Sequence, residues 1–584
     1  MYTWNLNNLY LGLDDPKFTE DVKKLDVLID DVNTLAKDFN QDNVKDKLKA
    51  FILKLEELQT LSTKLGGFIS LSLATDATNQ AFNNAMVVLR HKFLKTTLPL
   101  TLFEKFVASI NNLDAVIKED ELLSEYEFML TEIKEGSKHL LSDEEEVLAA
   151  ELNQSGGSLF AKMHSDLTST LEVDYDGEKI NLSQVRNLAY DEDPEVRRKA
   201  YYAERASYGK INQASSFALN GIKNQVSTMA RKRKYASPLE ETLKKSRINK
   251  EVLDALISSM KKYLPEFRRY LRKKAEILGH KNGLPFYDLF APIGGSNKKY
   301  SVEEAEAFIL KQFATFSPEL HDLAKRAFDE NWVDYKPRAG KRGGAFCSGL
   351  YPIKESRILT NFDGGIGDIS TIAHELGHAY HNSVIFDERI LNSGYPMPIA
   401  ETASILCETI VKQASLKESE TKEEKIGILE QELQGSTQVI VDILSRYIFE
   451  TEVFNRAQNE FLDEKTLNEI MINAQKKSYG DGLDLEYLNE GMWVNKGHYY
   501  STGRSFYNFP YAFGLLFAKG IYAQYQEKGS AFVPELNKLL QMTGKANLVD
   551  VAKTIGIDIT KNEFWESSLE VIKKDIDNFI ELAK

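Results

Sequence analysis

The sequence predicts a mainly α-helical fold. Apolar residues recur at three- and four-residue spacing through most of the first 155 positions, which is the periodicity of a helix with one buried face. Only 14 prolines occur in 584 residues, and this suits long helices because proline interrupts helical hydrogen bonding. No self-similarity recurs at a fixed period, so a regular repeat array is not expected.

Successive apolar stripes mark the helices in chain order. The first three stripes run through residues 25–39, 48–61 and 85–94, and Pro99 follows the third. Alternation on either side of Asp176-Gly177 predicts a short β-hairpin with a type I′ turn. Further helical patterns follow over residues 194–228, 251–278 and 302–331.

Composition excludes several classes of function. The net charge is −14, which argues against a broad nucleic-acid interface because such an interface needs a basic face. No apolar run approaches the ~20 residues of a membrane span. Cys347 and Cys407 are sixty positions apart without a C-x-x-C, so neither a disulfide framework nor a sulfur-ligated metal site is indicated. No signal peptide is visible, and we expect a cytoplasmic protein whose oligomeric state stays open, with a monomer allowed.

The helical pattern gives way to Gly-rich segments and a predicted strand after residue 337. Residues 338–347 are Gly-rich, residues 357–362 predict a strand, and a second Gly-rich turn leads into a helix with Asp368 or Ser370 as its N-cap. Gly-rich flanks leave the backbone of a strand free to pair with an extended peptide. A plain surface hairpin is the alternative interpretation.

That helix carries a candidate metal site. His374 and His378 are four residues apart, so their imidazoles lie on one helical face and can hold one zinc ion. Glu375 follows the first histidine, where its carboxylate can reach a water activated by the metal without being a ligand. This H-E-x-x-H pattern is typical of zinc peptidases.

A catalytic zinc ion needs a third protein ligand. The longer pattern with a third histidine would place it at position 384, which is Val384. His381 lies too far along the helix to share the ion, so we interpret it as a supporting or packing residue. A later, mostly apolar segment carries Glu401 and Glu408, and a buried carboxylate needs a metal, a cation or donors. Spacing alone does not choose between them.

At this point the sequence resembles a known family. The segment His374-Glu375-Leu376-Gly377-His378-Ala379-Tyr380-His381 is followed by Ile399-Ala400-Glu401-Thr402-Ala403-Ser404, in which Glu401 lies 27 residues after His374. Together these segments are similar to the oligoendopeptidase F family of zinc metallopeptidases, relatives of thimet oligopeptidase. The resemblance implies that Glu401 is the third ligand of one zinc ion and that Glu408 is a supporting residue.

The resemblance also has consequences for the fold. It implies a two-lobed, mainly α-helical metallopeptidase around a deep central channel that admits short peptides and excludes folded proteins. The predicted strand adds a small β-sheet beside the zinc helix. We place the boundary between an N-terminal helical lobe, 1–195, and a catalytic zinc metallopeptidase domain, 196–584.

A downstream aromatic stretch, residues 498–514, is rich in hydrogen-bond donors. A phenol or imidazolium near the metal can stabilise the oxyanion of peptide hydrolysis, and the alternative is an aromatic cluster at a helix start. The resembling family has a histidine and a Phe-Tyr-x-Tyr-x-Tyr segment here, which implies transition-state and substrate-binding roles for His498, Tyr507 and Tyr511. Phe509 stands where the family often has tyrosine, so it receives no hydroxyl role.

The sequence therefore predicts a zinc-dependent metalloendopeptidase that hydrolyses internal bonds of short oligopeptides, with Glu375 as general base. One alternative is a dipeptidyl carboxypeptidase on the same scaffold. That enzyme would need a cation for the terminal carboxylate of its substrate, and Arg338, Arg342 and Arg504 are candidates. An alternative of a different class is a helical metal-binding protein without catalysis.

Overall fold

The computed structural model describes residues 2–295 and 298–584. The chain forms two compact units, each built from three separate stretches. The first contains the described residues of Met1–Lys138, Asn297–Ala414 and Gln524–Gly556. The second contains those of His139–Ser296, Ser415–Ala523 and Ile557–Lys584. The single domain boundary near residue 195 and the central channel stay predictions.

Helices make up most of both units, which confirms the predicted fold class. The helices up to residue 277 are α1 (Pro16–Lys37), α2 (Val44–Thr75), α3 (Gln80–Leu94), α4 (Thr97–Ser109), α5 (Leu113–Lys118), α6 (Glu121–Glu125), α7 (Glu127–Gly136), α8 (Asp143–Ser155), α9 (Gly157–Ser169), α10 (Leu182–Asn187), α11 (Pro194–Tyr208), α12 (Asn212–Lys232), α13 (Pro238–Lys245) and α14 (Lys250–Ile277). The later helices are α15 (Val302–Phe316), α16 (Pro318–Asp329), α17 (Ile366–Ile385), α18 (Met397–Ala400), α19 (Thr402–Glu418), α20 (Lys422–Thr437), α21 (Ile443–Ala457), α22 (Glu464–Tyr479), α23 (Phe509–Lys528), α24 (Val533–Met542), α25 (Leu548–Lys553) and α26 (Asn562–Leu582).

The first apolar stripes form the core of the first unit. Leu25, Ile29 and Val32 of α1 are fully buried, and so are Phe51 and Ile52 of α2, against which α1 packs. In the second unit, α14 and α20 pack against the C-terminal α26. Burial of these faces removes apolar surface from water, which is the main favourable contribution to folding.

Two of the predicted helices are each interrupted. The pattern over residues 302–331 is divided between α15 and α16 because Pro318 disfavours a helical conformation for the residue before it. Ser317 instead caps α16, its hydroxyl accepting a hydrogen bond from the backbone N–H of Leu320 at 3.1 Å. The pattern over residues 194–228 is likewise divided between α11 and α12.

A β-hairpin lies in the second unit. Strand β1 (Glu172–Tyr175) pairs antiparallel with β2 (Glu178–Asn181). The turn residues Asp176 and Gly177 have φ values of 52° and 87°, the two positive values that a type I′ turn requires. The predicted hairpin and its turn are confirmed.

A three-stranded sheet lies in the first unit. Its strands are β3 (Val333–Asp334), β4 (Phe346–Leu350) and β5 (Glu355–Leu359), with β5 in the centre, parallel to β3 and antiparallel to β4. All residues of β5 are buried, and α17 packs against β4 and β5. The prediction of a small sheet beside the motif helix is confirmed, although β5 begins and ends earlier than residues 357–362.

None of the helices within the described ranges is both long enough and apolar enough to cross a membrane. The cytoplasmic location stays a prediction.

Candidate metal centre

Helix α17 begins earlier than predicted. Its N-cap is Gly365 rather than Asp368 or Ser370. Asp368 nevertheless stabilises the helix start, because its Oδ2 accepts hydrogen bonds from the backbone N–H groups of Asp363 and Gly365, each at 3.0 Å. A carboxylate in the first turn accepts hydrogen bonds from amides that have no partner within the helix, and its negative charge interacts favourably with the positive end of the helix dipole.

Close packing brings the third predicted ligand to the two histidines. A Cβ atom on Gly377 would lie 2.5 Å from the carbonyl oxygen of Ala403 and 2.5 Å from the Cα of Ser404. Only glycine permits this approach of α17 to the start of α19. Glu401, which directly precedes α19, thereby reaches the face of α17 that carries the histidines.

The three predicted ligands converge. The Oε2 of Glu401 lies 3.2 Å from the Nε2 of His374 and 3.4 Å from the Nε2 of His378, and the three potential ligand atoms all lie within 4.8 Å of one another. Tetrahedral zinc with ligands at about 2.0–2.1 Å separates neighbouring ligand atoms by about 3.3 Å. Ser404 donates a hydrogen bond to the same carboxylate oxygen at 2.7 Å. The donor set and its spacing therefore fit one zinc ion.

Glu408 supports the first histidine. Its Oε2 lies 3.0 Å from the Nδ1 of His374, and its Oε1 lies 2.6 Å from the Nζ of Lys412. A carboxylate that accepts from Nδ1–H leaves Nε2 with its lone pair available for a metal. Lys412 was missed by sequence reasoning, although its position four residues after Glu408 on one helix is a signal for an ion pair.

The histidines and carboxylates of this cluster shift one another's pKa values. Burial lowers the pKa of His374, but hydrogen bonds and charge attraction from Glu401 and Glu408 raise it to about 10. Burial raises the pKa of Glu401, but His374 and His378 hold it well below its usual range. A metal ion held by these groups would displace their protons, since binding of a metal to such ligands releases protons.

Glu375 faces inward with spare hydrogen-bonding capacity. Its side chain is only 6% exposed, and its Oε2 has no hydrogen-bond partner among the residues that the structure describes. Burial raises the pKa of this carboxyl group. A buried carboxylate oxygen without a protein partner needs another donor, and a water molecule or substrate group would provide one.

His381 lies away from the three converging ligand atoms. It is fully buried, stacks on the ring of Tyr395 with centroids 4.1 Å apart, and places Nε2 3.0 Å from the hydroxyl of Thr543. Burial lowers its pKa to about 3. These contacts agree with the packing role inferred from sequence.

The aromatic residues singled out by sequence form their own cluster in the second unit. The ring of Tyr507 lies 6.3 Å from that of His498 and 5.5 Å from that of Tyr511, and the guanidinium of Arg504 lies 5.3 Å from the Tyr507 centroid. Burial and then the charge of a nearby arginine lower the pKa of His498 to about 4, so its imidazole is neutral near pH 7. Phe509 is fully buried.

A buried ion pair holds the segment that carries Tyr507. The Nζ of Lys223 lies 2.7 Å from Oε1 of Glu450, and Asn508 donates to Oε2 of Glu450 at 3.0 Å. Asn508 is fully buried and its Oδ1 accepts from the backbone N–H of Phe509 at 2.6 Å. Sequence reasoning missed this trio because its members are distant in the chain.

Removal of the Glu450 carboxylate should destabilise the protein. We expect Glu450→Ala to lower the free energy of unfolding by about 3–5 kcal/mol, because it leaves the ammonium of Lys223 buried without a counter-charge. Urea denaturation followed by circular dichroism measures the effect. Asp166→Ala, which breaks an exposed ion pair with Lys162, is the control and should change stability little. Equal unfolding midpoints for the two variants would contradict the prediction.

Sequence comparisons identify relatives over most of the chain. Residues 187–571 match the family model for Peptidase family M3, and residues 109–172 match that for Oligopeptidase F. Oligopeptidase PepF of Bacillus subtilis (strain 168) is 28% identical over 481 residues, which cover 81% of this chain and 71% of that protein.

Solved structures share the fold. The chain matches a structure from Chlamydophila abortus with a TM-score of 0.86 and 24% identity, covering 99% of this chain and 98% of that one. It matches the structure of oligoendopeptidase-F from Enterococcus faecium with a TM-score of 0.70 and 18% identity, covering 97% and 98%. At these identities, the structural matches indicate a common fold.

Proposed function

The chain belongs to peptidase family M3 and is a peptide hydrolase, and on this premise we propose that it is a zinc-dependent endopeptidase acting on short oligopeptides. The relatives named for oligopeptide or oligoendopeptidase activity support the substrate class. The observation that carries the proposal is the convergence of the potential ligand atoms of His374, His378 and Glu401 within 4.8 Å of one another. On the same helix, a carboxylate oxygen of Glu375 has no hydrogen-bond partner in the described part of the chain.

His374, His378 and Glu401 would hold the ion, and Glu408 would orient the first of these ligands. Zinc bound there supplies Lewis acidity, which lowers the pKa of a water molecule and polarises the carbonyl to be cleaved. Glu375 accepts the proton of the attacking water at its carboxylate and returns it to the leaving amine.

Tyr507 supplies the donor for the developing oxyanion. Its ring is braced by Tyr511 on one side and by the cation of Arg504, and the buried Asn508 fixes the backbone beside it. His498 contributes as a neutral imidazole, since its pKa of about 4 excludes a charged donor near pH 7. Tyr511 is 40% exposed, and we assign it to substrate contact.

Removal of the Tyr507 hydroxyl should affect the chemical step. We expect Tyr507→Phe to lower kcat by about 10²–10³-fold with a small change in KM, because an oxyanion donor acts in the transition state. Initial rates on an internally quenched peptide measure both constants. Tyr202→Phe, at a tyrosine that is 46% exposed, is the control. A Tyr507→Phe enzyme with the kcat of this control would remove Tyr507 from the mechanism.

The edge of the small sheet offers a place for the substrate backbone. Strand β4 stands at the edge of the order β3-β5-β4 and packs against the metal-binding α17. An edge strand can add an extended peptide through main-chain hydrogen bonds. We propose that β4 pairs with the substrate in this way.

Product analysis tests the proposed function against its alternatives. The enzyme should cleave an internally quenched peptide at an internal bond, lose activity with a chelator and regain it with zinc. An exopeptidase would instead release C-terminal dipeptides and reject C-terminally amidated peptides. Among the cations considered for such an enzyme, Arg338 is already paired with Asp334 at 2.7 and 2.9 Å, and Arg342 is exposed. If no hydrolysis that is sensitive to a chelator is detected, the remaining alternative is a metal-binding protein without catalytic activity.

A further inference from the structure

The second unit contains a pocket of about 250 Å³ that is formed within that unit alone. Helices α10 and α11, a loop around residue 287 and the segment that links α20 to α21 contribute to its wall, together with Lys496. Pockets for drug-sized ligands span about 300–1,000 Å³. This pocket therefore suits a smaller molecule.

Most of the charge in the pocket wall is already neutralised. Arg197 pairs with the buried Asp288 at 2.8 Å, and Arg186 lies 3.3 Å from the carboxylate of Glu204. These two cations therefore have counter-charges of their own and do not require a ligand.

Lys496 differs from the other cations of the wall. The remaining acid of the wall, Asp442, is paired with Arg446, and Lys496 forms no hydrogen bond or ion pair through its side chain with any residue in the described ranges. Burial and then the charge of Arg446 lower its pKa to about 7. Lys496 is half-buried, and an incoming anion would give its ammonium group a direct partner and offset its repulsion from Arg446.

The backbone beside Lys496 is irregular in a way that is frequent at binding sites. Residues Gln438–Asp442 form a π-helical turn between α20 and α21, and the first and last residues of this turn line the pocket. Single π-helical turns interrupt α-helices frequently at functional sites. The turn therefore places Gln438 and Asp442 in the pocket wall.

Much of the remaining wall is apolar and aromatic, and Ser183 and Asn187 add polar side chains to it. The rings of Tyr190 and Phe290 lie 4.7 Å apart, and those of Tyr201 and Tyr287 lie 5.7 Å apart. The hydroxyl of Tyr201 is already used, because it donates to the carbonyl oxygen of Leu488 at 2.8 Å. This wall presents ring surface to a ligand, which favours an aromatic or aliphatic group.

We propose that this pocket binds the carboxylate of an amino acid or short peptide whose terminal side chain is aromatic or aliphatic, with Lys496 as the cation that anchors it. The carboxylate pairs with the ammonium group, and the side chain packs against the rings. The inference rests on the proposed function in one respect, the expectation that the ligand is an amino acid or a peptide. The binding itself does not depend on turnover.

Isothermal titration calorimetry on the zinc-loaded enzyme tests the proposal. N-acetyl-phenylalanine should bind at least about tenfold more tightly than its amide, the difference expected of a charge-assisted hydrogen bond, and more tightly than N-acetylglycine. Lys496→Met should abolish the preference for the acid, and Lys496→Arg should retain it. Lys561→Met, at an exposed lysine of the same unit, is the charge-matched control and should behave as wild type.

Three results would overturn the proposal. The first is equal binding of acid and amide by the wild-type enzyme. The second is an acid preference that survives in Lys496→Met, since the carboxylate would then be held elsewhere, for example at the metal. The third is equal binding of N-acetylglycine, which would exclude the apolar wall. Circular dichroism must show that Lys496→Met is folded, and Lys496→Arg provides the test if it is not.

A kinetic comparison distinguishes the two sources of the carboxylate. If the pocket receives the end of the substrate, a peptide with a free C-terminus should have a lower KM than its amide, and Lys496→Met should equalise the two. If it receives a released product, the two peptides should have equal KM values, and N-acetyl-phenylalanine should alter their hydrolysis in wild type but not in Lys496→Met. Loss of hydrolysis in all proteins would contradict the proposed function while leaving the calorimetric result intact.

Discussion

Glu375→Gln is expected to lower kcat/KM for an internally quenched peptide by about 10²–10⁴-fold while zinc remains bound, because the amide retains the shape of the side chain but cannot accept a proton. The Oε2 of Glu375 has no partner among the described residues, so the substitution breaks no hydrogen bond at that atom. Kinetics and metal analysis on the same preparation measure the two quantities.

The control for this prediction is Glu423→Gln, which makes the same change at an exposed position outside the metal centre. It should keep wild-type kinetics and metal content. If Glu375→Gln hydrolyses peptides at the rate of this control, Glu375 is not the general base. If it loses zinc, the residue contributes to the metal site, and the proposed division of roles is wrong.

The helical part of the fold was accessible from sequence because its signals are local. The apolar stripes of α1 and α2 appear as buried faces, and the turn at Asp176-Gly177 has the backbone angles that its residues favour. Helix ends were less accessible. The sequence indicated Asp368 or Ser370 as the N-cap of α17, whereas the N-cap is Gly365 and the Asp368 side chain reaches back to it from inside the first turn.

The candidate metal ligands show what residue spacing alone cannot predict. His374 and His378 follow from one helical period, whereas the spacing left Glu401 and Glu408 equivalent. The two carboxylates differ in tertiary packing, since the contact at Gly377 brings Glu401 to the Nε2 atoms of both histidines, whereas Glu408 contacts the Nδ1 of His374.

Residues that act through distant partners left no readable signal. Glu450 pairs with Lys223, which is 227 positions away, and either residue alone resembles an ordinary surface charge in the sequence. The sequence likewise does not distinguish Lys496 from other lysines. Lys496 has no side-chain partner within the described structure and lines a pocket, and both are properties of the folded chain.

Glu401→Gln is expected to weaken zinc affinity by more than about 100-fold and to abolish hydrolysis at limiting zinc, because a catalytic zinc ion needs three protein ligands and Glu401 is the proposed third. The Oε2 of Glu401 lies 3.2 Å from the Nε2 of His374 and 3.4 Å from the Nε2 of His378. Competition with a chromogenic chelator measures the affinity, and added zinc should restore part of the activity.

Glu408→Gln is the matched comparison, since it makes the same chemical change at the other glutamate of this segment. It removes the acceptor charge at Nδ1 of His374 and the ion pair with Lys412, and loss of such a supporting partner costs about 10–100-fold in metal affinity. The order of affinities should therefore be wild type, then Glu408→Gln, then Glu401→Gln. If Glu408→Gln binds zinc more weakly than Glu401→Gln, the assignment of ligand and supporting residue must be reversed, because the carboxylate that contributes most to affinity is the one bound to the metal.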